Sequence, residues 1–309
     1  MKKLTIALQT CLLSLLGTAC GPAETASDLE AYEAEIQQWR GERIELLTAP
    51  GGYLNQVGLF WIEEGSWSIG SAEGSDILLP ASAAASVGEL RVTSEDVRLF
   101  VEDGVEVLRD GSPVTELAMP PDVSGEFVMV QLGSIAWNVI ERGGKLAVRV
   151  RDFEHPWLAS FGPIPYYDID PDLRVEAVLH RYDTPREIVV DTVIEGFQQF
   201  PVAPGIATFV IDGVAYELEP QLSGEMLFFV FGDQTNRDET YGAGRYLYAD
   251  MPGDDGTFVL DFNKAKSPPC AFNDFSTCPV ASPRNRLPIR IEAGEKYDEA
   301  LHFTGLVTH

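Results

Sequence analysis

From residue 51 onward the chain is cut at short intervals by residue pairs that favour a tight turn: Gly51-Gly52, Asp103-Gly104, Asp110-Gly111, Gly143-Gly144, Asp212-Gly213 and Asp255-Gly256. Glycine, and to a lesser degree aspartate, tolerates the positive φ that two-residue hairpin turns require. The segments between these turns are rich in Val, Ile, Phe and Tyr, and helical periodicity largely disappears. The pattern predicts a mainly β chain. Its clearest hairpin is 207–218, turning at Asp212-Gly213. Longer strands are expected at 173–182, 188–194, 226–231 and 258–262, and shorter ones on the N-terminal side. Between 151 and 172 the prolines Pro156, Pro163, Pro165 and Pro171 interrupt the pattern and suggest an ordered linker. Two β units are therefore expected, a sandwich followed by an antiparallel barrel or a second sandwich. The 31 aromatic residues among 309 give both a core to build on.

One helix precedes the strands. Ser27 followed by Glu30 has the form of a capping box, and Leu29, Tyr32, Ile36 and Trp39 then recur at steps of three and four. This spacing predicts an amphipathic helix over 28–47, stopped by Pro50-Gly51-Gly52, with its apolar stripe packed on the domain behind it. The expected organisation is a helix and first sandwich over 27–150 and a C-terminal β domain over 151–309.

The N-terminus is an export signal in form. Met1-Lys2-Lys3 leads into an apolar stretch too short for a comfortable membrane span, which ends in Gly17-Thr18-Ala19 before Cys20. It resembles a bacterial lipoprotein signal, in which the cysteine thiol takes the diacylglycerol and becomes the mature N-terminus. Gly17 stands where that pattern has Leu, Val or Ile. The alternative is an ordinary secretory signal that contains a cysteine. In either case residues 1–19 are removed and the mature chain is exported, with 20–26 as a polar tether. The lipid reading implies attachment to the cell membrane or outer membrane through Cys20.

Charge excludes one class of partner. Lys+Arg 22 against Asp+Glu 48 give a net charge of -26, which offers no field for a nucleic-acid backbone. Loss of the signal removes Lys2 and Lys3 and leaves a net of -28. A surface so rich in carboxylate and poor in lysine suits a salty environment. Cysteine usage agrees with export: Cys11 leaves with the signal, Cys20 is the lipid acceptor, and Cys270 and Cys278 can close a small disulfide loop. A metal site is the weaker alternative for that pair, since the nearest histidine in sequence is His302.

Two resemblances follow from longer phrases. Gly65–Gly70 with Ser71, then Ser75-Asp76-Ile77-Leu78-Leu79-Pro80, Gly88–Val92 and Arg109-Asp110-Gly111-Ser112 resemble the strand and loop succession of a forkhead-associated domain. Such domains hold phosphothreonine with an arginine, a serine and a histidine. Ser71 occupies the arginine position, and Ala81-Ser82-Ala83-Ala84-Ala85-Ser86 contains no histidine. The resemblance thus implies a forkhead-associated-like β-sandwich without the phosphopeptide function. In the second half, Phe231-Gly232-Asp233, the run from Glu239 to Tyr248, Asp261-Phe262-Asn263-Lys264, Pro268-Pro269-Cys270-Ala271-Phe272, Cys278-Pro279 and Asn285-Arg286-Leu287-Pro288, with Gly58-Leu59-Phe60-Trp61, resemble the bacterial domain of unknown function 1684 family. Ser267 and Asp274-Phe275 depart from that family's asparagine and Pro-Tyr pair. The family has no assigned activity, so the resemblance implies architecture.

The polar residues of these phrases are the candidate site. Gly242 and Gly244 allow close backbone approach, Arg245 offers a planar fork of donors, and Asp261 and Asn263 alternate on one strand face. With Glu239 and Tyr241 they can line a pocket for a small anionic or hydroxylated ligand. Alternatively Arg245 pairs internally with Glu239 or Asp261 while the Pro-Pro-Cys loop plugs a barrel end. No nucleophile elbow, phosphate loop or zinc-protease motif is present, and His155, His180, His302 and His309 lie far apart. Asp168, Asp170 and Asp172 begin like a calcium loop, but Leu173 and Leu179 occupy its glycine and glutamate positions. Asp233, Asn236, Asp238, Asp254 and Asp255 read as solvated turn residues. No cofactor is expected. The sequence suggests a non-catalytic small-ligand-binding or scaffold protein of the cell envelope. The alternative is an exported hydrolase with Glu239 or Asp261 as general base and Arg245 stabilising negative charge.

Overall fold

The computed structural model describes residues 26–304. The segment expected to be an export signal, Cys20 and most of the expected tether, with His309, lie outside the described residues. Helix α1 (Ala26–Thr48) matches the expected span, and it already includes Ser27, the expected cap. Gly52 follows so closely that a Cβ there would meet the Leu47 carbonyl oxygen at 2.3 Å. Among the described residues no helix is long and apolar enough to cross a membrane.

Eleven strands build the first unit: β1 (Gln56–Ile62), β2 (Gly65–Gly70), β3 (Ile77–Leu78), β4 (Gly88–Val92), β5 (Val97–Val101), β6 (Val107–Arg109), β7 (Ser112–Val114), β8 (Glu116–Ala118), β9 (Met129–Leu132), β10 (Ile135–Arg142) and β11 (Lys145–Asp152). They form a six-stranded sheet, β1-β11-β10-β9-β6-β7, and a five-stranded sheet, β3-β2-β4-β5-β8. Alternation decides what lies between them. Phe60, Trp137, Val139, Val148 and Val150 from one sheet share a core with Ile69, Leu90 and Leu99 from the other. The residues one step out of phase, Leu59, Ile140, Ala147 and Arg149, point to the opposite face of the six-stranded sheet. That face is also buried, because the second unit covers it.

After a short helix α2 (Pro156–Ser160), the second unit contains β12 (Arg174–Glu187), β13 (Val190–Asp191), β14 (Gln198–Gln199), β15 (Val202–Ile211), β16 (Val214–Leu218), β17 (Gln221–Ser223), β18 (Met226–Phe231), β19 (Arg245–Asp250) and β20 (Thr257–Asp261). A four-stranded sheet, β16-β15-β12-β20, faces a three-stranded sheet, β17-β18-β19, across a core that includes Leu179, Phe209, Phe229, Leu247 and Leu260. Of the two expected forms this is the second sandwich; no barrel closes among the described strands. The reason is local. The free edge of β19 bonds Lys266 through paired Tyr246 and Lys266 backbone groups, so it does not pair with β20. The hairpin of β15 and β16 turns at Asp212 and Gly213, with φ of 51° and 75°, the left-handed pair that a two-residue turn needs. The strand expected at 188–194 shrinks to β13. Its neighbours bond the 278–280 segment instead: Val193 N–H donates to the Cys278 carbonyl and Val280 N–H to the Asp191 carbonyl.

Helix α1 docks on this second unit and not on the sandwich that follows it in sequence. Its buried stripe carries two polar groups among apolar ones, Tyr32 and Arg43 beside Ile36 and Leu47. Buried polar groups require partners, and theirs lie in the C-terminal half. The Tyr32 hydroxyl donates to Asp261 (2.8 Å), and Arg43 donates to Glu295 (2.7 Å) and to the Ser267 carbonyl (2.9 Å). Leu47 packs with Ile164, Ala271, Phe272 and Leu301.

Cys270 and Cys278 form a disulfide. The loop between them clamps the two units rather than plugging a barrel. Phe275, 1% exposed, joins Leu59, Ile140 and Ala147 on the outer face of the six-stranded sheet. Asn273 donates to the Tyr53 carbonyl (2.8 Å) and the Ser276 hydroxyl donates to Gln56 (3.1 Å).

Candidate functional site

Strand β19 delivers Arg245 into the core, where it is fully buried. Gly244, at φ 113°, leaves no room for a side chain beside the Phe231 carbonyl, so β18 and β19 approach closely at this point. The guanidinium pairs with Asp233 (2.6 Å) and donates to the carbonyls of Ala293 and Ile291, with the Phe231 ring 5.2 Å away. Asp233 also accepts from the amide and hydroxyl of Thr235 (2.7 and 2.6 Å). Asp233 is thus a buried counter-ion, not the solvated turn residue expected. The low dielectric around the pair makes it strong once formed, and no solvent reaches it.

Asp261 and Asn263 form a second, separate network. Asp261 caps the short 3-10 turn Phe262–Lys264 and accepts from the Tyr32 hydroxyl and from Asn263 N–H (3.0 Å). The Asn263 side chain bonds Asp170 in both directions, accepting from its amide (2.9 Å) and donating to its carbonyl (2.7 Å), and also donates to the Tyr32 oxygen (2.9 Å). Burial, followed by the Asp261 carboxylate, raises the Tyr32 phenol far above its ordinary pKa. Asp170 caps another 3-10 turn with its side chain, so the Asp168, Asp170, Asp172 series is a turn element. Among the described residues no three His, Cys, Asp or Glu side chains gather as a metal site would need.

Glu239 and Tyr241 belong to a third neighbourhood. Glu239 is part-exposed and bonds Arg290 (2.6 Å), Lys296 (2.7 Å) and the Tyr167 hydroxyl (3.0 Å). The bonds from Lys296 and Tyr167 hold its carboxyl below the usual range, while burial and the bond to Glu239 push the Tyr167 phenol up to about 12. Tyr241 packs edge-on against Tyr297 (5.3 Å), and burial pushes its phenol up to about 12. The five candidates therefore occupy three networks and do not converge on one cavity. Asp261 borders a cleft of about 390 Å³ shared with Glu35, Trp39, Arg174, Tyr248 and Lys266. Its Oδ2 has no hydrogen bond among the described residues.

A second cleft, of about 240 Å³, lies where the two units meet. Tyr53, Arg142 and Arg149 reach it from the first unit. Phe228, Tyr246, Tyr248, Thr277 and the disulfide's Cys278 reach it from the second. Phe228 stacks on Tyr248 (4.6 Å) and meets Tyr246 edge-on (4.9 Å). Arg149 is 9% exposed and has no hydrogen bond or ion pair among the described residues, and its Nε is fully covered. Burial, with Arg142 and Arg151 nearby, pushes its guanidinium down to about 10, still charged at neutral pH. Gln56 Nε2 and Asn138 Oδ1 are also buried without partners.

The family model described as "Protein of unknown function (DUF1684)" matches residues 159–296. An uncharacterized protein of Haloarcula marismortui, solved by solution NMR, is 31% identical over 79% of its own length and 45% of this chain, with a TM-score of 0.38. The chain belongs to the DUF1684 family. Two further solved structures resemble the N-terminal half of this DUF1684 protein, a phosphothreonine-dependent FHA domain and the Rv0020c FHA domain. Each is 18% identical with a TM-score of 0.21, and each covers 31% of this chain and 95% or 91% of its own. Comparison with curated proteins gives no match.

Three residues of this DUF1684 chain escape a reading by motif. Asp233 stands in the turn-like run Asp233-Gln234-Thr235-Asn236, so its local signal is that of a surface turn. Lys266 follows the Asp261-Phe262-Asn263-Lys264 phrase by two residues. Arg149 is the outward residue of an ordinary strand. Only the alternation of β11, with three basic residues at Lys145, Arg149 and Arg151, pointed to an unusual face.

Proposed function

We propose that this DUF1684 chain is a non-catalytic binding protein of the cell envelope, exported and tethered to a membrane by a lipid on Cys20. Its ligand enters the cleft where the two β units meet. The observation that carries this reading is Arg149, a nine-tenths buried guanidinium without a bonded partner among the described residues, at the wall of that cleft. Burying an unpaired charge costs several kcal/mol, so a fold that keeps one has a use for it or a filler for it. The order of basic, apolar and small residues before Cys20 supports export and the tether.

The motif residues have a different task. Arg245, Asn263 and Glu295 are each bonded to other parts of the chain and hold the second unit and α1 together. The hydrolase alternative needs Arg245 beside Asp261 or Glu239. Arg245 is sealed in another network with Asp233, which removes the group meant to stabilise developing charge.

The test has two arms. Labelled palmitate should enter the full chain expressed in a bacterial host and be lost in Cys20→Ser; labelling that persists in the variant removes the tether. A thermal-shift screen of metabolites should give at least one hit on the full chain that disappears in Arg149→Gln. Hits unaffected by that substitution would place binding elsewhere.

A further inference from the structure

We infer that the cleft between the two β units is a binding site for a small, single-ring carboxylate. This rests on the binding reading above and names its ligand.

Charge comes first. Three arginines lie close together on the outer side of the six-stranded sheet, and two of them are committed. Arg142 grips both oxygens of Asp122 (2.9 and 2.8 Å). Arg151 donates to the Gly52 carbonyl (2.5 Å) and to Asn55 (2.7 Å). Asp122, the carboxylate whose field reaches Arg149, is thus already neutralised by Arg142. Asn138, opposite Arg149 in register, is uncharged, so a bond to it would leave the positive charge uncompensated. What the cleft lacks is an anion.

Shape and wall chemistry narrow the anion. A guanidinium presents a planar fork that matches a carboxylate with two parallel bonds. Phosphate matches the fork too, but it is strongly hydrated, and the ring faces of this cleft do not replace its hydration. Rings make up much of the remaining wall: Phe228 and Tyr248 stack, Tyr246 stands across them, and Tyr53 closes the first-unit side, with Gln199, Ser276 and Thr277 among the residues between them. Such walls favour a flat apolar body. The hydroxyls of Tyr248 and Thr277 have no hydrogen bond among the described residues and are free to meet a polar substituent. The volume of about 240 Å³ is below the roughly 300–1,000 Å³ typical of sites for larger ligands, which limits the body to one ring.

The test is titration calorimetry on the detergent-solubilised full chain with benzoate, benzamide and inorganic phosphate. Benzoate should bind with a Kd of about 0.1–1 mM, a usual strength for so small a ligand. Benzamide, with the same outline and no charge, should bind at least about tenfold more weakly, and phosphate should give no measurable heat. Arg149→Gln should reduce benzoate affinity about tenfold or more, and Tyr248→Leu several-fold. The benzoate-to-benzamide ratio requires no variant, so it decides the matter even where Arg149→Gln fails to fold. Equal binding of benzoate and benzamide, phosphate binding as well as benzoate, or no benzoate heat overturns the inference. If benzoate fails while a metabolite hit is lost in Arg149→Gln, the ligand class falls and the binding reading stands. If Arg149→Gln alters no ligand, both fall.

Discussion

Asp233 and Arg245 show what a single buried pair does for this molecule. Both side chains are fully enclosed, and each is the other's counter-ion. Asp233→Asn keeps the shape and removes the counter-ion, so it should lower the unfolding free energy by about 3 kcal/mol in chemical denaturation. A loss below about 1 kcal/mol would mean that the pair is solvated. Lys266 presents the opposite case, a cation with too little compensation. Burial, then Arg43, pushes its ammonium down to about 8 from the ordinary 10.5, with Glu295 pulling the other way. Between pH 8 and 10.5 the unfolded chain binds more protons at this position than the folded chain. Stability from this group therefore rises with pH through that window and is lowest below it. The buried charge costs roughly 3 kcal/mol at pH 7, of which the Tyr248 ring 4.6 Å from Nζ offsets about 1. Lys266→Met should stabilise the protein by about 1–2 kcal/mol at pH 7, with the gain narrowing by pH 10. An equal gain at both pH values would argue that the ammonium is not desolvated.

Among the elements, those fixed by neighbours in sequence were legible and those fixed by distant contacts were not. The β15–β16 hairpin depends on Asp212-Gly213 alone, and it forms where the pair stands. The stripe of α1 was readable from its spacing, but its docking surface was not. Tyr32 meets Asp261 across 229 positions, and Arg43 meets Glu295 across 252. The strand expected at 188–194 failed for the same reason, since the disulfide loop takes its backbone bonds. The candidate residues are polar and bonded into the structure, yet composition and spacing cannot say whether an arginine faces a ligand or a carboxylate of its own chain. Arg245 and Arg149 are chemically identical in sequence. One is surrounded by acceptors and the other is not, because Arg245 is enclosed by segments of its own unit whereas Arg149 lies at the joint between the two units.

At the scale of the whole molecule, the Cys270–Cys278 loop fastens the two units to each other. The disulfide restrains a short loop in the unfolded chain and by that route contributes about 2–3 kcal/mol. Its local effect concerns the joint, because Phe275 covers Leu59, Ile140 and Ala147. Replacing both cysteines by serine should accelerate amide hydrogen exchange in β10 and β11 at their outward residues, while β4 and β5 on the far sheet keep their protection. Uniform acceleration through both sheets would mean that the loop supports global stability only. The acidic surface, with a net charge of -26 over the full chain, stands in contrast to this joint, where arginines gather in the interior.

Tyr248 is a wall of both clefts, with Phe228 stacked on it and the Lys266 ammonium held near its ring. A shared wall makes the contents of the two clefts thermodynamically reciprocal. Whatever filling the joint does to the proton affinity of Lys266, the proton on Lys266 does in equal measure to the filling of the joint.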